Sequence, residues 1–241
     1  MAEGDGGLGM DVDQARLVAA AVHLAPSRST GLSAGLVALL LVGARPLWKR
    51  AGHLTTAVHE GGHALMAFLL DRAFLAVRLE RSQGGLTSYY GPSRGWGRLM
   101  ITAAGYTAPS LCGLAGAGLL SVGNVTAALI LAGVATTSLL LLVENIFGEL
   151  VLLVLLGLVL TVATTGSAGM QLFVACTASW FLLFSAIRSL GILRRARRYT
   201  RFTDADTLAT VTHLPAVLWV AAFYAVDLYC LVIGGQLLLD G

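Results

Sequence analysis

Seven stretches of this sequence approach the length of a membrane-spanning helix, and they constrain the fold more than any other feature. A spanning helix needs about 20 mostly apolar residues. Only 12% of the residues are charged, against roughly 25% in an average soluble domain. A soluble chain of 241 residues could not bury so much apolar surface in one core. The stretches cover residues 31–48, 52–70, 98–121, 125–143, 148–164, 169–191 and 211–238.

These stretches predict an all-α polytopic membrane protein with six to seven transmembrane helices in a lipid bilayer. Residues 1–30 are expected to form a mobile N-terminal segment, with a short helix over 11–24. Residues 31–241 are expected to form a single integral-membrane domain. No basic tract is interleaved with aromatic residues, so nucleic acid is not expected as a partner.

Lys and Arg residues concentrate in two loops. Loop 71–98 holds five arginines and loop 192–210 also holds five, whereas connections 121–124 and 164–169 hold no basic residue. Four apolar segments separate the basic loops, so both lie on the same side of the membrane. The positive-inside rule makes that side cytoplasmic.

A third basic cluster, Arg45, Lys49 and Arg50, conflicts with a simple crossing by the segment 52–70. If this cluster is also cytoplasmic, the segment begins and ends on one side. Either the segment enters only part way, or a boundary charge reaches the surface along its own side chain. The orientation of 52–70 stays open at this point.

The loop after this segment has the pattern of a β-hairpin. Residues 76–81 alternate apolar and charged side chains, Gly84-Gly85 follows, and residues 86–90 are rich in Thr and Tyr. This pattern predicts two short strands around a turn at the glycines. We expect a small hairpin at the cytoplasmic membrane surface.

The most specific motif is His59-Glu60-Gly61-Gly62-His63. Residues four apart share a helix face, so both imidazoles can bind one ion, and Glu60 lies close enough to act as a general base. A charge at the centre of a membrane helix costs roughly 2.5–3.5 kcal/mol, and a metal gives a reason for three such groups on one turn. We therefore predict a catalytic zinc site, with a chance match, a non-catalytic zinc site and a satisfied polar cluster as alternatives.

A catalytic zinc site usually has three protein ligands, so one more is needed. Asp204 and Asp206 stand out because they precede the last apolar segment on the cytoplasmic side. Thr203 and Asp206 have capping-box spacing, which suits Asp206 to capping and leaves Asp204 for the ion, with Asp206 as the alternative ligand. The other acidic and histidine candidates are Asp71, Glu80, Glu144, Glu149, His213 and Asp227.

Further motifs follow in an order that resembles the site-2 protease family of intramembrane zinc metalloproteases, in its compact, largely bacterial branch. They are Gly85-Leu86-Thr87, Ala104-Gly105-Tyr106 with Pro109-Ser110, Thr203-Asp204-Ala205 with Leu208-Ala209, and Leu214-Pro215 with Trp219. They extend over roughly residues 55–225. The resemblance implies a protein of a bacterial cell membrane with its active site open to the cytoplasmic side.

The resemblance also implies site roles. His59 and His63 correspond to zinc ligands, Glu60 to the general base, and Asp204 to the third ligand. The better-known members place that aspartate in an Asn-Pro…Asp-Gly context, which this chain lacks. The asparagine that holds substrate in those members has its best candidate in Asn145, with a helix cap as the other interpretation.

The implied function is zinc-dependent cleavage of a peptide bond in or near a transmembrane segment of a membrane-protein substrate, in regulated proteolysis. The hairpin, with Gly84 and Gly85, is expected to hold the unwound substrate by strand addition. Two alternatives stay open. One is a membrane zinc hydrolase of a non-peptide substrate, and the other is a non-catalytic scaffold or transporter subunit with a degenerate motif.

Overall fold

The computed structural model describes residues 24–200 and 202–240, which form eight α-helices and a two-stranded sheet. The helices are α1 (Arg28–Gly43), α2 (Arg45–Leu69), α3 (Trp96–Ser121), α4 (Val125–Leu140), α5 (Ile146–Thr165), α6 (Ala168–Ala196), α7 (Asp204–Thr212) and α8 (Ala216–Leu239). The strands are β1 (Ala73–Leu79) and β2 (Gly85–Tyr90). The predictions for residues 1–23, including most of the short helix over 11–24, fall outside the described residues.

Three to four candidate membrane spans are present in the described part of the chain. Helices α5, α6 and α8 are each long and apolar enough to cross a bilayer, and α4 is shorter, with 16 residues. Helices α1 and α2 meet the same criterion only as a pair, bent by 101°. The membrane class and the small sheet are confirmed, whereas six to seven spans are not.

Helix α3 has the length of a span but not its hydropathy, because it is rich in small and hydroxyl-bearing residues. It packs against α2, α6 and α8 in the middle of the bundle. At Gly113, an added Cβ would lie 3.0 Å from the carbonyl oxygen of Ser179 on α6. Small residues allow such close helix contact in membranes, so the composition of α3 follows from its central position.

The sharp bend between α1 and α2 replaces the two independent segments predicted over 31–48 and 52–70. Helix α1 ends at Gly43, and the side chain of Arg188 on α6 donates hydrogen bonds to the carbonyls of Val42 and Gly43. These carbonyls have no partner within their own helix. The Arg188 guanidinium also lies 4.4 Å from the ring centroid of Trp48, in the first turn of α2. Helix α2 is therefore one arm of a bent pair, which forms either a broken span or a re-entrant loop.

The hairpin is confirmed, but its turn differs from the predicted one. The turn spans residues 80–84, and Gln83, not Gly84 or Gly85, adopts a left-handed φ of 67°. Two hydrogen bonds to α2 hold Gln83 there. Its side chain donates to the carbonyl of Trp48 at 2.6 Å, and its own carbonyl accepts from Thr56 at 3.0 Å. The turn is thus fixed by contacts with α2 rather than by glycine.

The outer edge of β1 is also paired. The Val77 amide donates to the Leu142 carbonyl at 2.8 Å, and the Glu144 amide donates to the Val77 carbonyl at 3.0 Å. Within the hairpin, Val77 lies opposite Thr87 and Leu79 opposite Gly85. Strand β1 is therefore enclosed on both sides, and β2 forms the other edge of the sheet.

Candidate metal centre

Helix α2 brings the two predicted histidines together, as their spacing requires. The Nε2 atoms of His59 and His63 lie 3.1 Å apart, and the side chains are 17% and 11% exposed. Glu60, between them in sequence, is buried. Both imidazoles thus present the same ring nitrogen to one small volume.

The backbone of α3 orients His63. Its Nδ1 lies 2.7 Å from the carbonyl oxygen of Ile101. Because a carbonyl only accepts hydrogen bonds, Nδ1 carries a proton, which leaves Nε2 as the ring nitrogen that can bind a metal. Metal-binding histidines commonly have such a partner, which fixes the tautomer and the orientation of the ring.

Asp204, the first residue of α7, completes the cluster. Its Oδ2 lies 3.2 Å from His59 Nε2 and 3.4 Å from His63 Nε2. Tetrahedral zinc with bonds of 2.0–2.1 Å would separate neighbouring ligand atoms by about 3.3 Å. The three separations match that value, so His59, His63 and Asp204 fit a zinc ion. No other group of this kind occurs among the described residues.

The charge state of Asp204 also suits a cation site. Burial by itself would raise the pKa of this carboxyl, but hydrogen bonds and positive charge from His59 and His63 outweigh the effect and hold the pKa well below its usual range. Asp204 is therefore an anion at neutral pH.

Asp206 points elsewhere. Its Oδ1 accepts from Arg197 Nη2 at 2.8 Å, and it forms the capping box with Thr203 at the start of α7. Burial would raise the pKa of Asp206, but the hydrogen bonds from Arg197 and Thr203 lower it below the ordinary value. The structure thus brings Asp204, and not Asp206, to the histidines.

The hairpin contacts Glu60 directly. Thr87 Oγ1 lies 2.6 Å from Glu60 Oε2 and 3.2 Å from the Glu60 carbonyl oxygen. A Cβ added to Gly85 would lie 2.6 Å from Glu60 Cγ. The Gly85-Leu86-Thr87 motif therefore positions the glutamate: glycine leaves room for it, and threonine binds it.

The metal ligands and Glu60 line one cleft of about 440 Å³ between α2, α3, α6, α7 and the hairpin. Gly84, Gly85 and Thr87 of the hairpin also line it.

A family model described as Peptidase M50B-like matches residues 32–234. The chain belongs to this family. The resemblance to site-2 proteases is thereby confirmed, and the family is one of membrane metallopeptidases.

No curated protein and no solved structure matches the chain. The roles of individual residues in this M50B-like protein therefore rest on its own geometry.

Gly105 and Tyr106 belong to a motif that the sequence identified without assigning roles. A Cβ on Gly105 would lie 2.8 Å from Cε1 of His59 and would overlap the ring of His63. The Tyr106 ring stands edge-on to His59, with centroids 4.6 Å apart, so both residues fix the imidazoles.

Asn145 occupies the N-cap position of α5, but its side chain does not cap that helix. Its Nδ2 donates to the Leu79 carbonyl at 2.9 Å, and its Oδ1 accepts from the Leu79 amide at 3.1 Å. The side chain acts as a further partner for the outer edge of β1. Asn145 is not among the residues that line the cleft, and a direct contact with substrate stays a prediction.

Proposed function

We propose that this protein is a zinc-dependent intramembrane endopeptidase that hydrolyses a peptide bond in or near a transmembrane segment of a membrane-protein substrate. The observation that carries the proposal is the convergence of His59, His63 and Asp204 beside the buried carboxylate of Glu60. These residues lie in one cleft of a membrane metallopeptidase.

One zinc ion per chain is proposed, held by His59, His63 and Asp204. Two histidines and a carboxylate form a donor set typical of catalytic zinc sites, which leave a fourth position for water or substrate. When bound, the ion polarises the scissile carbonyl and makes water a nucleophile near neutral pH.

Glu60 is the proposed general base. One of its oxygens, Oε2, accepts from Thr87, which orients the carboxylate and leaves Oε1 for the attacking water. Glu60 takes a proton from that water and delivers it to the leaving amine. Burial of Glu60 excludes bulk solvent from this proton transfer.

Strand β2 is the proposed holder of the unwound substrate. The Val77 backbone is bonded to residues 142–144 on the side away from β2. Antiparallel strands alternate bonded and non-bonded pairs, so the backbone N–H and C=O groups of Thr87, opposite Val77, point to the open edge. A substrate strand added there would lie beside Glu60. Cleavage that is unaffected by N-methylation of alternate substrate amides would refute strand addition.

The proposed location is a bacterial cell membrane, with the cleft open to the cytoplasmic side where the basic loops lie. Helix α3 is proposed as a further span, since its neighbours cover the small residues that lower its hydropathy. Regulated proteolysis is the proposed setting, as the family likeness implies.

Cleavage of a membrane-protein substrate by reconstituted protein tests the proposal. Glu60→Gln should abolish cleavage and keep zinc, whereas His59→Ala should lose both. Glu144→Gln, which alters an exposed glutamate paired with Arg78, should change neither. Absence of cleavage by the wild type, together with full cellular function of Glu60→Gln, would favour a scaffold. Hydrolysis of lipid but not peptide would favour a non-peptide hydrolase.

A further inference from the structure

A second cavity, of about 620 Å³, lies away from the metal centre. Its walls are almost entirely hydrocarbon. They include one face of α5, at Leu150, Val154 and Leu158, and one face of α6, at Phe173, Thr177 and Phe181. Each face extends over nine residues, or about 12 Å of helix from the first to the last. We call this cavity the α5–α6 groove.

The groove uses the side of α2 that the catalytic cleft does not. Arg50, His53 and Leu54 line the groove, whereas Gly52 and His59 line the cleft. A molecule seated in the groove is therefore not presented to Glu60. The groove is a separate site and not an extension of the active site.

Arg50 and His53 make one end of the groove polar. Among the described residues Arg50 has no acidic partner, and its side chain is exposed. The His53 Nδ1 is buried without a hydrogen-bond partner in the same part of the chain. A buried ring nitrogen without a partner is costly, and an exposed cation at the end of a hydrocarbon surface attracts an anionic group. A phosphate group supplies acceptors for the Arg50 guanidinium and for an N–H of the neighbouring His53 ring.

From these features we propose that the α5–α6 groove binds an anionic phospholipid, with one acyl chain between α5 and α6 and the phosphate at Arg50 and His53. The 12 Å length compares with about 15 Å for the hydrocarbon of one leaflet. Arg45 and Lys49 lie nearby in sequence, on the same exposed turn of α2, and such basic clusters attract anionic headgroups.

A substrate transmembrane helix is the other conceivable occupant, and the size of the groove argues against it. A transmembrane helix is about 30 Å long, whereas the groove faces of α5 and α6 extend over about 12 Å. The groove offers about 620 Å³, which lies in the range typical of small-molecule sites.

Native mass spectrometry of the full-length protein, titrated with phosphatidylglycerol or with phosphatidylcholine, tests the proposal. The wild type should retain one phosphatidylglycerol at least tenfold more tightly than phosphatidylcholine. Arg50→Gln should weaken that retention about tenfold, as expected for a lost charge-assisted hydrogen bond. Arg28→Gln, at an exposed position in the first turn of α1 and outside the groove lining, is the matched control and should retain lipid.

Filling the groove gives a second test. Leu155→Trp should abolish retention, whereas Leu153→Trp, at an exposed position on the same helix outside the groove, should not. Ala178→Phe fills the groove from α6 and replaces Leu155→Trp if that variant does not fold by circular dichroism. Equal retention of both lipids, or retention that survives filling, would overturn the proposal. Capture of a substrate helix by a photo-crosslinker at position 155 would overturn it in favour of a protein occupant.

Discussion

Replacing Gly105 with alanine tests how closely α3 confines the metal ligands. The new Cβ would overlap the ring of His63 and lie 2.8 Å from Cε1 of His59. Alanine is a better helix former than glycine by up to about 1 kcal/mol. The substitution therefore leaves α3 intact and acts on the imidazoles.

The size of the effect follows from the distances. Ordinary contact with a Cβ begins at 3.4 Å, so the His59 ring must retreat by about 0.6 Å. Metal–ligand distances tolerate changes of about 0.2 Å. We therefore expect Gly105→Ala to weaken zinc binding 10- to 100-fold, the range seen when groups that orient metal ligands are altered.

Zinc affinity is measured by competition with a chromogenic chelator, alongside cleavage of a reconstituted membrane substrate. Gly118→Ala is the matched control, because it changes the same residue type on the same helix and its Cβ would meet nothing within 4 Å. It should bind zinc and cleave like the wild type. If Gly105→Ala also does both, the confinement argument is wrong.

Three further substitutions test the surroundings of the site. Thr87→Val removes the hydroxyl bonded to Glu60 and should lower kcat about 10- to 100-fold with zinc retained. Ser88→Ala, at an exposed position on the same strand, is the control and should leave kcat unchanged. If Thr87→Val cleaves as fast as the wild type, the role of Thr87 is refuted. Asp206→Asn should lower Tm at neutral pH. Because the pKa of Asp206 is lowered in the fold, its contribution is present at neutral pH and disappears as pH falls through its folded pKa, so the Tm difference should vanish in acid; a constant difference would contradict this. Arg188→Met should lower Tm and cleavage together by freeing the α1–α2 bend, and unchanged values would contradict that role.

The residues that converge at the candidate metal centre were predictable, because their signals lie close together in the sequence or belong to the family resemblance. His59, Glu60 and His63 lie on one helical turn, so their spacing alone brings them together. Asp204 followed from the capping-box spacing of Asp206 and from the family likeness. The hairpin followed from the alternation over residues 76–81, the glycines after it and the Thr- and Tyr-rich residues 86–90.

Features that depend on distant contacts could not be read from the sequence. The bend after Gly43 is held by Arg188, far along the chain. Gln83 takes the strained turn position because α2 bonds it on two sides. The Asn145 side chain hydrogen-bonds to the backbone of Leu79 in β1, and no sequence pattern near Asn145 indicates that contact.

The predicted count of six to seven spans is not confirmed, for a different physical reason. Residues 98–121 of α3 carry few charges, so the sequence predicts an apolar segment there. In the fold, the glycines, alanines and hydroxyl residues of α3 contact other helices instead of lipid. A simple count of apolar segments also takes α1 and α2 as two crossings, because it does not see the bend. Packing, and not composition, decides which helices face the bilayer.

The central claim is that His59, His63 and Asp204 hold one zinc ion, and metal analysis of purified protein tests it most directly. Wild type, Asp204→Asn and Asp206→Asn are compared by inductively coupled plasma mass spectrometry after equal exposure to zinc and washing. The account predicts one zinc per chain in the wild type and in Asp206→Asn, and loss of zinc from Asp204→Asn. Full zinc in Asp204→Asn, or no zinc in the wild type, would contradict it.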